Sequence, residues 1–530
     1  MADLNTAASF PHFKKEGDYY RLIIDGEAFL IIGGQVKASA SSSAAHMARQ
    51  WQKIQRLGIN TVLLVISWEA FESTEGRFNR DLVMTLIAQA GSAGIRVLLT
   101  WYGSLKGGTG DNLTSYAPSW IKMDPARFPR MKGREGGYND NGEMNGWKVV
   151  STPSVSLFGP EFLRAERKAY YEFMKQVKAA DPDHNTIIML QIGSEMGHLS
   201  WTRDVCDEAL TAFDKDVPDN FLNFLVQSGS ELSDTNPHCW EEFANSSEGT
   251  DEVFTTYHVA THINSLAGIA KRAFPVPVIV NIALEAAEGR KYGAPQPETL
   301  HLWKAFAPNI DLYAPRMTLL NPYEKTCEAW GMNANQPLLV QAHPQDDEHI
   351  RQLWTAFGSH GAIGVVLSTI EQVVIQGGST IANHSALLRQ AAPFLLNAQN
   401  QRYPHIGIAF GYPNETDQLQ FKSGDFDITI KKLSLGGFRG GGHGLAISQD
   451  NGKVLLIGCG FEVRAKSHLS ESDGVNVTRI LSFHELEIDE EGGLRTLRMF
   501  NADETNGGRV AKMDTVTPMI AEVQFYCIKD

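Results

Sequence analysis

The sequence predicts an α/β fold, a (β/α)8 TIM barrel followed by an antiparallel β-sandwich. Three observations carry this expectation. Apolar, strand-like runs alternate with helix-like stretches over the first 390 or so residues, as in βα units built around a parallel sheet. Eight such runs can be counted, the number that closes a barrel. After Pro393 the texture changes to short alternating runs separated by Gly, Asn and Asp, the signature of antiparallel sheets.

The expected strands are Phe29–Gly34, Asn60–Trp68, Arg96–Trp101, Thr186–Ile192, Val276–Asn281, Ile310–Pro315, Pro337–Ala342 and Ala362–Thr369. These runs are strand-like and alternate with helix-like stretches. Helices are expected at His46–Leu57, Arg80–Ala93, Gly159–Ala180, Asp251–Phe274 and Glu348–Ser359, with long insertions around Gly107–Pro153 and Arg203–Thr250. In the C-terminal part, strands are expected near Leu419–Phe421, Phe426–Lys431, Gly444–Ser448, Lys453–Cys459 and Ala521–Lys529. The expected division is a barrel over 1–395 and a sandwich over 396–530. The glycine cluster Gly436–Gly444 lacks the Lys-Ser/Thr ending of a phosphate loop and reads as turn chemistry.

Composition narrows the function. The 530 residues are 43% hydrophobic with a net charge of −14, and no basic run interleaves with aromatics. A nucleic-acid partner and an anionic membrane surface are therefore disfavoured, and a small-molecule substrate fits better. No apolar run approaches the roughly 20 residues that span a bilayer. A cytoplasmic location is expected, since the N-terminal residues lack a charged segment followed by an apolar one. The five scattered cysteines read as reduced thiols rather than a disulfide framework. No cofactor or metal is indicated, and oligomeric state is not legible.

In a barrel of this kind, catalytic groups gather at the C-terminal ends of the strands, where the loops form the open face. Two strand ends stand out. The run Thr186–Glu195 delivers a carboxylate, whereas Pro337–Gln341 delivers an amide. A partly dry cleft would raise the pKa of Glu195 and keep it protonated as a donor. His343, two residues beyond Gln341, would share its face and could act as base or proton shuttle. Glu371 follows the eighth strand and is a further acid/base candidate, or a partner for Arg316. Trp68, Trp101, Tyr102, Tyr116 and Trp120 fall at or after strand ends, where rings could stack on a sugar face or pack in the core. His258 and His262 have the i, i+4 spacing of zinc ligands but lack the other ligands of a zinc-protease motif.

The chain resembles the β-galactosidases of glycoside hydrolase family 35, in the branch with a β-rich C-terminal domain. The residues that carry the resemblance are Gly33-Gly34, Asn60, Ser67-Trp68-Glu69, Glu75-Gly76, Trp101–Ser104, Ser115–Trp120, Arg127–Pro129, Gln191 with Glu195 and Gly197, Asp251-Glu252, Tyr257-His258, Asn281, Asp311 with Ala314-Pro315, and Asn501 with Asp503–Thr505. The resemblance implies a retaining barrel with the general acid/base on the fourth strand, matched by Glu195, and the nucleophile on the seventh. Departures cluster at that site. Gln341 stands where the family has its nucleophile, and Ser194 replaces the asparagine before the acid. Gln35 and Ala38 replace polar residues, and Arg316 occupies a position usually held by aspartate. An amide cannot form the glycosyl ester, so double displacement through strand seven is closed.

The functional expectation is therefore a glycoside-hydrolase-like enzyme using Glu195 as acid/base on a glycoside or sugar-like small molecule, by a route without the strand-seven nucleophile. Gln35, Trp68, Trp101, Tyr102, Tyr116, Trp120, Ser194, Asn281, Arg316 and Gln341 are the expected substrate contacts, with Glu195, His343 and Glu371 as catalytic candidates. The alternatives are elimination, dehydration, cyclisation or isomerisation of a non-sugar metabolite, or a non-catalytic ligand-binding protein.

Overall fold

The computed structural model describes residues 10–106, 114, 116–138, 144–197, 202–228, 239–243, 249–284, 292–317, 323–342, 347–373, 380–411, 416–433, 441–468 and 477–528. Eight parallel strands close into a barrel: β1 (Ile31–Gln35), β2 (Thr61–Ser67), β3 (Arg96–Lys106), β4 (Ile187–Ser194), β5 (Val278–Ala283), β6 (Leu312–Met317), β7 (Leu339–Ala342) and β8 (Gly364–Leu367). β8 pairs with β1 through Val366 and Gly33, which completes the ring. All eight expected strands are found, with shifted ends.

Alternation along each strand sorts side chains to the two barrel faces. Leu63 and Val65 on β2, and Leu98 and Tyr102 on β3, fill the interior together with Ile279, Leu312 and Leu339. Val62, Leu64, Val97, Leu99 and Trp101 point outward and pack in the larger core beneath the surrounding helices. Among those helices, Pro160–Ala180 opens with Pro at its first turn, where the missing N–H costs nothing, and buries Phe162, Tyr170, Phe173 and Val177.

A short three-stranded antiparallel sheet, His12–Glu16, Tyr19–Ile24 and Glu27–Phe29, precedes the barrel. Its Leu22 and Ile24 join the interior cluster. Leu22 pairs with Phe29, just before β1, so this sheet plugs the end of the barrel opposite the strand C-termini. Within the first long insertion, Arg130–Tyr138 and Met144–Val155 pair as a two-stranded antiparallel ribbon.

The C-terminal part is a β-sandwich. Six strands, including His443–Ser448, Lys453–Cys459 and Met519–Ile528, face four, including Phe426–Lys432 and Phe461–Ser467. Ile428, Ile430 and Val463 from one sheet meet Ala446, Leu456 and Val523 from the other. The outer face of the six-stranded sheet turns Leu445, Ile447, Leu455 and Ile457 into the barrel's helical core. Gly407 N donates to Ser359 Oγ at 3.1 Å, and a side chain at Gly407 would overlap the Trp354 backbone, so that contact is close. The glycine cluster is described only at its end, where Gly442 lies against Gly460 so closely that an added Cβ would sit 2.5 Å from its carbonyl oxygen.

The boundary expected at 395/396 falls inside a continuous helix, Thr380–Gln401, which contains Pro393. Proline removes one intrahelical hydrogen bond, yet Leu388, Ala391, Leu395 and Ala398 bury a common face of this helix and hold it together. No helix among the described residues is long and apolar enough to cross a membrane.

Candidate active site

A cavity of 610 Å³ opens at the C-terminal mouth of the barrel. Gln35, Tyr102, Tyr116 and Arg316 line it together with Lys106 and Glu69. Glu195, just past β4 with a relative exposure of 9%, is not among the residues that line the cavity. Its backbone is left-handed at φ +51°, and Gly193 before it has φ +68°. A side chain at Gly193 would sit 2.5 Å from Leu105 O, so the tight approach to β3 requires glycine there. This sharp exit from β4 aims the carboxylate sideways along the barrel mouth.

There it meets two cations. Lys106 Nζ donates to Glu195 Oε2 at 2.8 Å, and Arg316 Nη1 contacts Glu195 Oε1. Lys106 comes from the end of β3 and Arg316 from β6, so strands on both sides of β4 and β5 converge on one carboxylate. Two adjacent cations stabilise a carboxylate charge, an effect opposite in sign to the desolvation on which the expectation of a protonated donor rested. Burial, followed by the Arg316 charge, lowers Lys106 to about 8. Burial likewise lowers Arg316. Lys106 Nζ also lies 5.5 Å from the Tyr102 ring centroid.

Tyr102 organises the near wall. Its hydroxyl accepts from Gln35 Nε2 at 3.2 Å and hydrogen-bonds Ser194, and its ring packs edge-on against Tyr116 at 5.0 Å. Burial pushes its phenol up to about 12, so it stays a neutral hydrogen-bonding group. Beneath the cavity lies an amide layer. Ser194 Oγ donates to Asn281 Oδ1 at 3.0 Å, and Gln341 Nε2 donates to Gln191 Oε1 at 2.7 Å. Ser194, Asn281 and Gln341 are all buried and do not line the cavity. They support its floor.

Four expected site residues lie elsewhere. Trp101 falls on the outward parity of β3, where its Nε1 donates to Glu166 at 3.2 Å and its ring packs on Phe173. Trp68 begins a helical turn and is fully buried, bonded to Glu72 Oε2 at 2.8 Å. Trp120 packs edge-on against Trp68 and donates to Glu72 O at 3.1 Å. Glu371 does not line the cavity: its Oε1 accepts from Lys37 N at 3.1 Å, bracing the segment after β1. His343 lies outside the described residues.

Lys106 escaped the sequence reading because β3 runs five residues further than its apolar core suggested, with an irregular register against β4 beyond Trp101. The available signal was a lysine closing an otherwise uncharged run, Val97–Lys106. Behind β3, Glu166 Oε2 bonds His262 at 2.9 Å while its Oε1 accepts from Ser104 N, also at 2.9 Å. His258 instead packs among Phe158 and Phe254, and burial lowers it to about 4. Among the described residues, no group of three or more His, Cys, Asp or Glu side chains could hold a metal ion.

Residues 381–512 match one protein family, described as "Domain of unknown function (DUF5597)". That span is less than half of the chain. It takes in the long helix from Ile381 and most of the sandwich. Comparison with curated proteins gives no match. Similar solved structures include the catalytic domain of β-amylase from Paenibacillus polymyxa, with 14% identity, a TM-score of 0.45, and coverage of 66% of this chain and 94% of that one. A β-galactosidase from the psychrophilic Marinomonas ef1 aligns at 13% identity and a TM-score of 0.45, over 69% of this chain and 60% of that one. A β-1,4-mannanase from the sea hare Aplysia kurodai aligns at 12% identity and a TM-score of 0.40, over 71% and 96%.

Proposed function

We propose that the chain is an acid–base enzyme of glycosidase type that takes a glycoside or sugar-like small molecule into the barrel-mouth cavity. The observation that carries this reading is the buried Glu195 carboxylate fixed between Lys106 and Arg316, two cations that line the cavity. Isolated strand-end glutamates commonly satisfy backbone groups. Here, instead, a strained backbone delivers the carboxylate to two charged side chains that both line the cavity. Strain of this kind persists where the surroundings over-determine it, often at functional sites.

In this reading the ionised Glu195 accepts a proton from the substrate. Lys106, lowered to about 8, is the matching donor near neutral pH. Arg316 and the Tyr102 hydroxyl orient the bound molecule, and Glu371 acts at a distance by fixing Lys37 and the segment after it. Gln341 supplies no nucleophile. A held carboxylate with a nearby amine supports proton abstraction, as in elimination or isomerisation, or activation of water, better than double displacement.

The test is Glu195→Gln assayed against aryl glycosides and sugar-like metabolites. Turnover should fall by at least about a hundredfold with the fold retained, the lower range for loss of a positioned acid or base. Full activity in that variant would remove Glu195 from the mechanism. A second reading, a ligand-binding protein without turnover, is favoured by the closed Gln341–Gln191 amide pair. Saturable binding of a sugar with no product across the same panel would select it.

A further inference from the structure

Arg316 lies on the cavity wall with 34% of its side chain exposed, and Glu195 is its one ion-pair partner among the described residues. A guanidinium carries five N–H donors in a planar fork, and the Glu195 contact engages Nη1. The remaining donors sit at the rim of a partly dry site, where an unmet charged donor is costly and a ligand acceptor correspondingly favourable. The rest of the wall has the same sign. Lys37 after β1 and Lys106 at the end of β3 also line the cavity, whereas the one lining carboxylate, Glu69, is engaged by Lys122 at 3.2 Å. The overall net charge of −14 makes this local cationic wall a departure from the molecule's average.

Neutral sugars are bound through hydroxyls and ring faces, which calls for carboxylates, amides and exposed aromatic faces. Here Trp68 and Trp101 are buried in the core and the amides Gln341 and Asn281 are spent on the floor, so that the Gln35 amide, itself bonded to Tyr102, and the Tyr102 and Tyr116 rings share the lining with three cations. The geometry points to an acidic sugar, one bearing a ring carboxylate, as the substrate class of this cavity, with Arg316 as the principal carboxylate receptor. This inference rests on the reading that the barrel mouth is the substrate site. Lys106 at about 8 remains largely cationic at neutral pH and adds to the attraction.

The experiment uses the full chain and two matched probes: the methyl glycosides of glucuronic and galacturonic acid, each against its own uncharged methyl ester. Titration calorimetry at low salt should give at least about tenfold tighter binding of one acid than of its ester. That preference should shrink as ionic strength rises, as screening requires. In Arg316→Met the ratio should fall towards one. Equal or tighter binding of the esters, or binding of neither form, overturns the inference, and a retained ratio in Arg316→Met overturns the role given to Arg316. The wild-type ratio does not depend on how that variant folds. Product is followed in the same samples. Acid preference without product leaves the inference standing and removes the enzymatic reading, while turnover of neutral glycosides with no acid preference does the reverse.

Discussion

Gln341 Nε2 donates to Gln191 Oε1 at 2.7 Å, tying β7 to β4 across the barrel interior. Gln191 in turn donates to Gly193 O at 2.9 Å, one residue before the turn that positions Glu195. The amide at 341 is therefore part of the support for Glu195.

Placing a carboxylate there should harm the fold without creating a galactosidase. In Gln341→Glu the buried new acid would face the Gln191 oxygen, two acceptors in contact, at a cost of about 1–3 kcal/mol. A clear fall in the denaturant midpoint at unchanged slope is expected, with no gain in aryl galactoside hydrolysis. Strong galactosidase activity would show that only a nucleophile was missing.

Lys106 sets a pH dependence with a definite sign. Its proton is held with a pKa of about 8 in the folded chain, against about 10.4 for an unfolded lysine. Between these values the unfolded chain binds more protons, so Lys106 makes folding progressively more favourable as pH rises from about 8 to about 10. Turnover should move the opposite way, declining as pH passes about 8 and the donor is lost. Lys106→Met should flatten both trends. An activity profile that is level from pH 7 to 9.5 in the wild type would exclude Lys106 as donor.

Glu371 offers a direct contrast between bracing and chemistry. Removing its bond to Lys37 N in Glu371→Ala should cost about 1–2 kcal/mol of stability while kcat stays within a few-fold. A fall of a hundredfold or more in kcat, with little change in melting temperature, would restore Glu371 to the reaction.

The Glu166 network secures the end of β3 that carries Lys106. Burial alone would raise this carboxylate, but its bonds from His262 and Ser104 bring it below the ordinary range. Glu166→Ala leaves Ser104 N, Trp101 Nε1 and His262 without their acceptor and should destabilise by about 3–5 kcal/mol, measured by urea unfolding. The contribution of Glu166 is present above the unfolded value of about 4.3 and is lost as pH falls through its lower folded value. A loss under about 1 kcal/mol in the variant would contradict this role.

The barrel was legible because its strands are buried on both faces and so read as long apolar runs, as at Thr61–Ser67 and Ile187–Ser194. The plugging sheet was not, since His12–Glu16 is short, mostly polar and largely exposed. Glu195 and Arg316 could be singled out one at a time. Their contact could not, because it joins β4 to β6, and the Lys106 contact spans 89 residues of sequence. The tryptophans misled for a local reason: a ring at a strand end faces the cavity or the helices according to parity, and Trp101 falls one residue short of the inward Tyr102.

The positive φ of Glu195 bears on how this site could change over time. A non-glycine residue in that conformation costs on the order of 1 kcal/mol, and glycine or asparagine would sit there with less strain. Thermal stability alone would thus tend to replace the charged residue. Random substitution followed by selection for heat resistance, with no demand for ligand or turnover, should enrich Gly or Asn at 195, whereas keeping glutamate would require pressure from the work the site performs.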